Sequence, residues 1–111
     1  MSNSFGYIYL IGEIGNDNIF KIGSTKKNNI EDRKKELQTG NSNELYIKDY
    51  FKTDKPFKLE TMLHFYYQND NKINEWFVLD EEKQKGFHDV CVKYQNIIES
   101  LNGNPFFQKK K

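Results

Sequence analysis

A chain of 111 residues is long enough for one compact domain, because a second core would leave each half too small to bury enough apolar surface. Its 17 basic and 16 acidic residues give a net charge of +1, which excludes a strong overall field that would steer the protein to nucleic acid or acidic membranes. With seven Tyr, nine Phe and one Trp it is too aromatic for a disordered tail, and no apolar run approaches the roughly 20 residues of a membrane span.

The first predicted element is a β-hairpin. Residues 7–11 and 19–23 are rich in β-branched and aromatic side chains, and the loop between them contains residues that favour turns: Gly12, Gly15, Asn16, Asp17 and Asn18. Because side chains alternate across a strand, Tyr7 and Tyr9 share one face of this hairpin. The hairpin therefore presents two neighbouring tyrosines.

A short helix and a third strand follow the hairpin. Residues 30–38 contain good helix formers and end at a Thr-Gly pair, and residues 45–53 alternate well enough for a strand. Pro56 can then open a second helix at its first turn. In that helix Glu60 and His64 lie four residues apart and share a face.

The rest of the chain predicts a brief strand or extended segment at residues 75–79 and a closing amphipathic helix. Apolar residues in that helix recur at steps of three and four: Phe87, Val90, Cys91, Tyr94, Ile97, Ile98 and Leu101. We expect an α+β fold with a small three-stranded antiparallel sheet flanked by helices. Residues 5–80 would form the domain, the C-terminal helix at 81–103 would pack on it, and residues 104–111 would be a basic tail.

These elements carry an ordered series of short motifs: Tyr7-Ile8-Tyr9, Lys21-Ile22-Gly23-Ser24-Thr25, Arg33, Leu37-Gln38-Thr39-Gly40, Glu60 and Glu75-Trp76-Phe77. The series covers roughly residues 6 to 79 and resembles the GIY-YIG nuclease superfamily. It is most similar to the phage and DNA-virus branch that includes the meiotically-up-regulated-gene domains.

The resemblance implies a GIY-YIG-like endonuclease that hydrolyses DNA phosphodiester bonds with Mg²⁺ or Mn²⁺. It gives Tyr9 the role of base, Arg33 that of phosphate contact and Glu60 that of metal ligand. Lys21 stands where many members have a second tyrosine. Supporting residues would be Tyr7, His64 and Asn74. Lysines near the second strand and first helix would contact DNA: Lys26, Lys27, Lys34 and Lys35.

The residue types suit this chemistry independently of the resemblance. Phosphodiester cleavage builds negative charge on the phosphate oxygens, which a cation held by a carboxylate and a planar guanidinium stabilise. Arg33 is the only arginine in a chain that otherwise uses lysine. A tyrosine has a pKa near 10, and a neighbouring cation such as Lys21 would favour its phenolate.

Each candidate also has a structural interpretation. Tyr7 and Tyr9 would be ordinary sheet residues, Glu60 a surface ion-pair partner, and His64 a helix residue bonded to a backbone carbonyl. We expect Trp76 to pack in the core in preference to forming a platform on which a base stacks. The rival function is a catalytically inactive module that binds nucleic acid or a protein.

The expected partners are DNA, together with a protein partner or a homo-oligomer for targeting, and no membrane. The expected location is intracellular, in the host cytoplasm or nucleus if the protein is viral.

Overall fold

A computed structural model describes residues 5–26 and 28–102 and shows an α+β fold. Five strands and three helices follow one another along the chain: β1 (Gly6–Glu13), β2 (Asn16–Thr25), α1 (Ile30–Thr39), β3 (Leu45–Thr53), α2 (Pro56–Tyr66), β4 (Asn71–Ile73), β5 (Trp76–Val78) and α3 (Glu81–Asn102). A single 3₁₀ turn, Gln68–Asp70, connects α2 to β4. The strands form one antiparallel sheet in the order β3-β1-β2-β5-β4.

The sheet has five strands, so the expected three-stranded sheet is wrong. Strand β5 extends the sheet by pairing Trp76–Val78 with residues 19–21 of β2, and β4 pairs with β5. Both added strands are only three residues long, and β4 is exposed throughout. A segment this short shows no alternation of apolar and polar residues, so periodicity cannot reveal it.

The hairpin of β1 and β2 is longer than its apolar residues predicted. Only Ile14 and Gly15 remain outside the two strands, and Gly15 has a φ of 98°, which a glycine adopts without strain. The register shifts next to Glu13, where the ladder is irregular. Asn16, Asp17 and Asn18, which were expected in the loop, therefore belong to the first part of β2.

The two faces of the sheet carry different cores. Ile8 and Leu10 of β1 are fully buried in a cluster with residues of α2 and α3. Tyr9 and Ile11 face the other way and pack with Leu45 and with residues of α1. Alternation along β1 thus places α2 and α3 on one side and α1 on the other.

Local sequence explains where the helices begin. The Asn29 side chain accepts a hydrogen bond from Glu31 N at 2.8 Å and caps α1, while Pro56 occupies the first turn of α2. Phe87, Cys91 and Ile98 of α3 join the larger core cluster. Among the described residues no helix has the length and apolar character needed to cross a membrane. The predicted basic tail, residues 104–111, and Lys27 lie outside the described residues.

Candidate functional site

Tyr9 lies at the centre of the α1 side of the sheet, directly opposite Gly23 of β2. Its side chain is fully buried, and its ring crosses the space above Gly23. A Cβ atom at residue 23 would lie 2.6 Å from the ring carbon Cζ of Tyr9. Glycine at this position therefore allows the Tyr9 hydroxyl to reach across β2.

The Tyr9 hydroxyl and the Arg33 Nε atom are buried without a hydrogen-bond partner among the described residues. Arg33 projects from the first half of α1, where its Nη1 donates to Glu36 Oε1 at 2.9 Å. The guanidinium lies close enough to Tyr9 for its charge to act on the hydroxyl, although the two groups do not reach normal hydrogen-bond geometry. Two polar groups are thus gathered at one buried point and left unsatisfied, an arrangement more typical of functional sites than of cores.

Burial raises the pKa of Tyr9, and the nearby positive charge of Arg33 opposes this effect. The carboxylates of Glu75 and Glu60 raise the pKa further by repelling the phenolate. The net direction is upward, contrary to the expectation that a neighbouring cation would favour the phenolate. The cation that acts on Tyr9 is Arg33, and burial outweighs it.

Glu60 belongs to α2, which packs on the opposite face of the sheet from α1. The Ser24 hydroxyl donates a hydrogen bond to Glu60 Oε1, and Ser24 points to the α2 side because it pairs with Ile8. Strand β5 pairs with β2 at residues 19–21, and within the described part of the chain no strand pairs with residues 23–25 on that side of β2. Glu60 and Tyr9 thus lie on opposite faces near this unpaired edge of β2, and the Glu60 charge acts on Tyr9.

Lys21 is engaged by two residues of the β4–β5 hairpin. Its Nζ lies 3.1 Å from Glu75 Oε1 and 5.6 Å from the centre of the Trp76 ring. Lys21 is only 18% exposed, whereas Glu75 is 41% exposed. The ammonium is thus paired with Glu75, whose negative charge also acts on the Tyr9 hydroxyl.

Sequence reasoning missed Ser24 and Glu75 as members of this group. Both lie inside motifs that were recognised, but neither carried a role there. Register supplies a signal for Glu75: once β5 pairs with β2, Trp76 stands opposite Lys21 and Glu75 falls beside it. The Ser24 hydrogen bond depends on how α2 packs against the sheet, which no sequence pattern encodes.

His64 follows Glu60 by one helical turn, and its Nε2 lies 2.8 Å from Ile22 O and 3.5 Å from Glu60 Oε2. Its ring also packs edge-on against Phe77 at 5.0 Å. Asn74 lies in the tight turn between β4 and β5 with a φ of 52°, which asparagine tolerates better than most residues. His64 and Asn74 both line a cavity of about 240 Å³, and of the two only His64 contacts Glu60 in the described structure.

The remaining predicted residues lie around the group. Tyr7 is half-buried on the same face as Tyr9 and packs edge-on against Tyr50 at 5.9 Å. Lys26 lies over the ring of Phe57 at 5.4 Å, and Lys34 pairs with Glu31 at 3.7 Å. Lys35 is exposed on α1. Lys26 thus follows the end of β2, whereas Lys34 and Lys35 belong to α1.

A divalent cation would find one carboxylate here. No group of three or more histidine, cysteine, aspartate or glutamate side chains within residues 5–26 and 28–102 is arranged to hold a metal. Magnesium commonly takes only one or two protein carboxylates and keeps several waters, so Glu60, 19% exposed and held by Ser24, fits such an ion. The donor set is compatible with a weakly held Mg²⁺ or Mn²⁺.

The T5orf172 domain family matches residues 6–92, which is most of the chain. This family is associated with nuclease-type domains in phages. No curated protein and no solved structure matches the chain significantly. The matched range runs from the start of β1 into the first half of α3 and contains every residue of the group around Tyr9.

Proposed function

Because the chain belongs to the T5orf172 domain family, we propose that it is a GIY-YIG-type endonuclease that hydrolyses DNA phosphodiester bonds with the help of Mg²⁺ or Mn²⁺. One arrangement carries the proposal: the buried Tyr9 hydroxyl and Arg33 Nε lack partners among the described residues, and Ser24, next to the Gly23 that faces Tyr9, holds Glu60 from the other face of the sheet. A purely structural role gives no reason to leave these two polar groups unpaired beside a strand that also anchors a carboxylate.

Each of these side chains has a distinct task in the proposed reaction. Arg33 binds the scissile phosphate through its guanidinium, whose Nε has no protein partner among the described residues. The phenolate form of Tyr9 takes a proton from the attacking water and becomes the neutral phenol, and no hydrogen bond among the described residues competes for its oxygen. A divalent cation on Glu60 would stabilise the negative charge that develops on the phosphate oxygens.

Ser24 and His64 keep Glu60 in place. The Ser24 hydroxyl donates to one carboxylate oxygen, and the His64 ring approaches the other at 3.5 Å. His64 is itself fixed by the carbonyl oxygen of Ile22, at 2.8 Å. Neighbouring groups that contact a metal-binding carboxylate in this way orient it and limit its rotamers.

The DNA backbone would be bound by Arg33 and by lysines around β2 and α1, with Lys21, Lys26, Lys34 and Lys35 as the described candidates. The overall charge of +1 supplies no long-range attraction, so binding depends on these few contacts. On duplex DNA we expect a slope of log affinity against log salt of roughly 2 to 4 in magnitude. A much steeper slope would point to the Lys109-Lys110-Lys111 segment or to a multimer.

A nicking assay tests the proposed function. The protein with MgCl₂ or MnCl₂ should convert supercoiled plasmid to the open circle, and Glu60→Ala should abolish this activity with an unchanged circular dichroism spectrum. The matched control is Asp89→Ala, which removes an exposed carboxylate from α3 and should leave cleavage unchanged. Equal cutting by wild type and Glu60→Ala would disprove the assignment.

The rival function, a catalytically inactive domain that binds nucleic acid or a protein partner, has one specific observation in its favour. The pKa of Tyr9 is raised, and Lys21 at the position of the second tyrosine is paired with Glu75 instead of free. DNA binding with no nicking at any pH between 7 and 10, in either metal, would establish this rival.

A further inference from the structure

The outer face of α2 carries an exposed aromatic ring beside Glu60. Phe57 is 59% exposed, and it precedes Glu60 by three residues, so the two side chains lie on the same face of the helix. The buried residues of α2 are Pro56, Leu59 and Leu63, of which Leu59 and Leu63 enter the larger core. The Phe57 ring contributes little to that core.

A cation accompanies this ring. Lys26 Nζ lies 5.4 Å from the centre of the Phe57 ring, and Lys26 is itself exposed, two residues beyond Ser24. Ser24 bonds Glu60 while Lys26 contacts Phe57, so two contacts between β2 and α2 run side by side. The exposed Lys58 follows Phe57 directly in the sequence and adds a second positive charge to the first half of α2.

We propose that Phe57 and Lys26 form a stacking platform for one unpaired nucleobase adjacent to the bond that is cut, with Lys26 contacting the neighbouring phosphate. This inference rests on the proposed function, because it places the platform next to the phosphate at Glu60. The preferred substrate is then DNA that carries an unpaired nucleotide, and a continuous duplex is a poorer one.

The size and charge of the platform favour a base over other occupants. A protein interface of ordinary size needs about 800 Å² from each partner, far more than one ring flanked by lysines provides. A nucleobase has a flat π-face that stacks on a single aromatic ring, and its phosphate complements the two lysines. In a continuous duplex the bases are stacked on each other and unavailable to Phe57.

Phe65 provides a matched control on the same helix. It is 69% exposed, more than Phe57, and lies two turns further along α2 from it. Removing either ring deletes an exposed phenyl group, but only Phe57, among the described residues, has Lys26 over it and Glu60 one turn away.

The test uses the full chain and a duplex oligonucleotide with one unpaired 2-aminopurine, in EDTA so that no cleavage intervenes. Wild-type protein should bind this probe more tightly than the continuous duplex and quench the 2-aminopurine fluorescence. Phe57→Ala should weaken binding about 5- to 50-fold and abolish the quenching, whereas Phe65→Ala and Phe57→Trp should retain both. Unchanged affinity and quenching in Phe57→Ala, or no binding by wild type, would overturn the platform.

The same proteins in MgCl₂ separate the two hypotheses. Quenching that depends on Phe57, without any cleavage by wild type, supports the platform and rejects the nuclease. Cleavage that is equal in wild type and Phe57→Ala, on the bulged and the continuous duplex alike, rejects the platform and leaves the nuclease standing.

Discussion

The ring of Tyr9 occupies the space that a side chain at residue 23 would fill, because Gly23 stands directly opposite it in the β1–β2 ladder. This relationship lets a buried tyrosine extend across a neighbouring strand to its open edge, where Ser24 holds Glu60 from the other face. Lys21 precedes Gly23 by two residues on β2 and faces the same side of the sheet as Tyr9, but it is bound to Glu75. The position of the Tyr9 hydroxyl therefore depends on the absence of a side chain at Gly23.

Replacing Gly23 should displace Tyr9. We expect Gly23→Ala to lower the free energy of unfolding by about 1–3 kcal/mol, because the added methyl would collide with the Tyr9 ring in a packed layer. The control is Gly86→Ala in α3, where nothing lies within 4 Å of the added Cβ. This variant should gain about 0.5–1 kcal/mol by helix propensity. Chemical denaturation measures both, and a neutral Gly23→Ala would show that Tyr9 can move without loss.

Much of the fold follows from local patterns in the sequence. The third strand at 45–53 and the first helix from Ile30 were predicted almost as observed, because alternation and helix formers were clear there. The face shared by Tyr7 and Tyr9 followed from strand geometry alone. The short strands β4 and β5 were not resolved as a sheet extension, since three residues carry too little periodicity.

The sequence nominated candidate site residues without indicating how they are arranged. Order along the chain selected Tyr9, Arg33 and Glu60, and the structure places Arg33 on the same side of the sheet as Tyr9 and Glu60 on the other; their catalytic roles stay predictions. The direction of the Tyr9 pKa was not predictable, because it depends on how completely packing removes the hydroxyl from water. The partner of Lys21, Glu75, lies beside a strand that is distant in the sequence, so this pairing depends on the β2–β5 register and cannot be inferred from the residues next to Lys21.

Removing the hydroxyl of Tyr9 should separate stability from activity. A buried hydroxyl without a partner destabilises the folded state, so Tyr9→Phe should raise the free energy of unfolding by about 1 kcal/mol while cleavage falls at least about tenfold. Tyr50→Phe, at the paired but half-exposed position on β3, should change neither. Denaturation curves and nicking rates test both effects, and a destabilised Tyr9→Phe would reveal a structural hydrogen bond for that hydroxyl.

The Ser24 hydroxyl should matter through Glu60. In Ser24→Ala the carboxylate loses its donor, so we expect half-maximal cleavage to need about 10-fold more MgCl₂. Ser24→Thr keeps a hydroxyl on the same side of β2 and should behave closer to wild type. Titration of the nicking rate with MgCl₂ distinguishes the variants, and identical titrations for wild type and Ser24→Ala would remove Ser24 from the site.

Alkaline conditions should destabilise the fold through groups buried in their neutral form. Burial raises the pKa of Cys91 from 9.0 to about 12, and burial also raises the pKa of Tyr9 and Tyr67 above 10. Each group binds its proton more tightly in the folded state, so its contribution is complete below the unfolded pKa and is lost as pH rises towards the folded pKa. The free energy of unfolding should therefore fall above pH 9, at up to about 1.4 kcal/mol per pH unit for each group.

Cys91→Ala isolates the thiol in this pH dependence. Between pH 9 and 10 the variant should show a shallower decline than wild type, because only the thiol begins to ionise in the unfolded chain at pH 9. Urea denaturation at half-unit pH steps measures the slopes. Parallel slopes in wild type and Cys91→Ala would mean that the thiol is not protected from ionisation in the folded protein.

The pH dependence of cleavage tests Tyr9 as the base. Because its pKa is raised above 10, only a small fraction is phenolate at pH 7, and the log rate should climb with pH throughout the range from 7 to 10. The negative charge of Glu75 helps to raise the pKa of Tyr9. Glu75→Gln should therefore shift the pH profile of the rate to lower pH and speed cleavage about twofold at pH 8. Glu44→Gln, an exposed carboxylate preceding β3, is the control and should not shift it.

Lys21→Met leaves the Glu75 carboxylate without its cation, so the Tyr9 pKa should rise and cleavage should slow, the opposite of the effect of Glu75→Gln. Since pH 7 and pH 9 both lie below the Tyr9 pKa, the variant should be slowed by the same factor at each, and the profiles should converge only above pH 10. A loss that is larger at pH 7 than at pH 9 would place the working pKa between those values and implicate a group other than the buried Tyr9. A wild-type rate that is flat from pH 7 to 10 would remove Tyr9 as the base and leave it as a hydrogen-bond donor that orients the water or the phosphate.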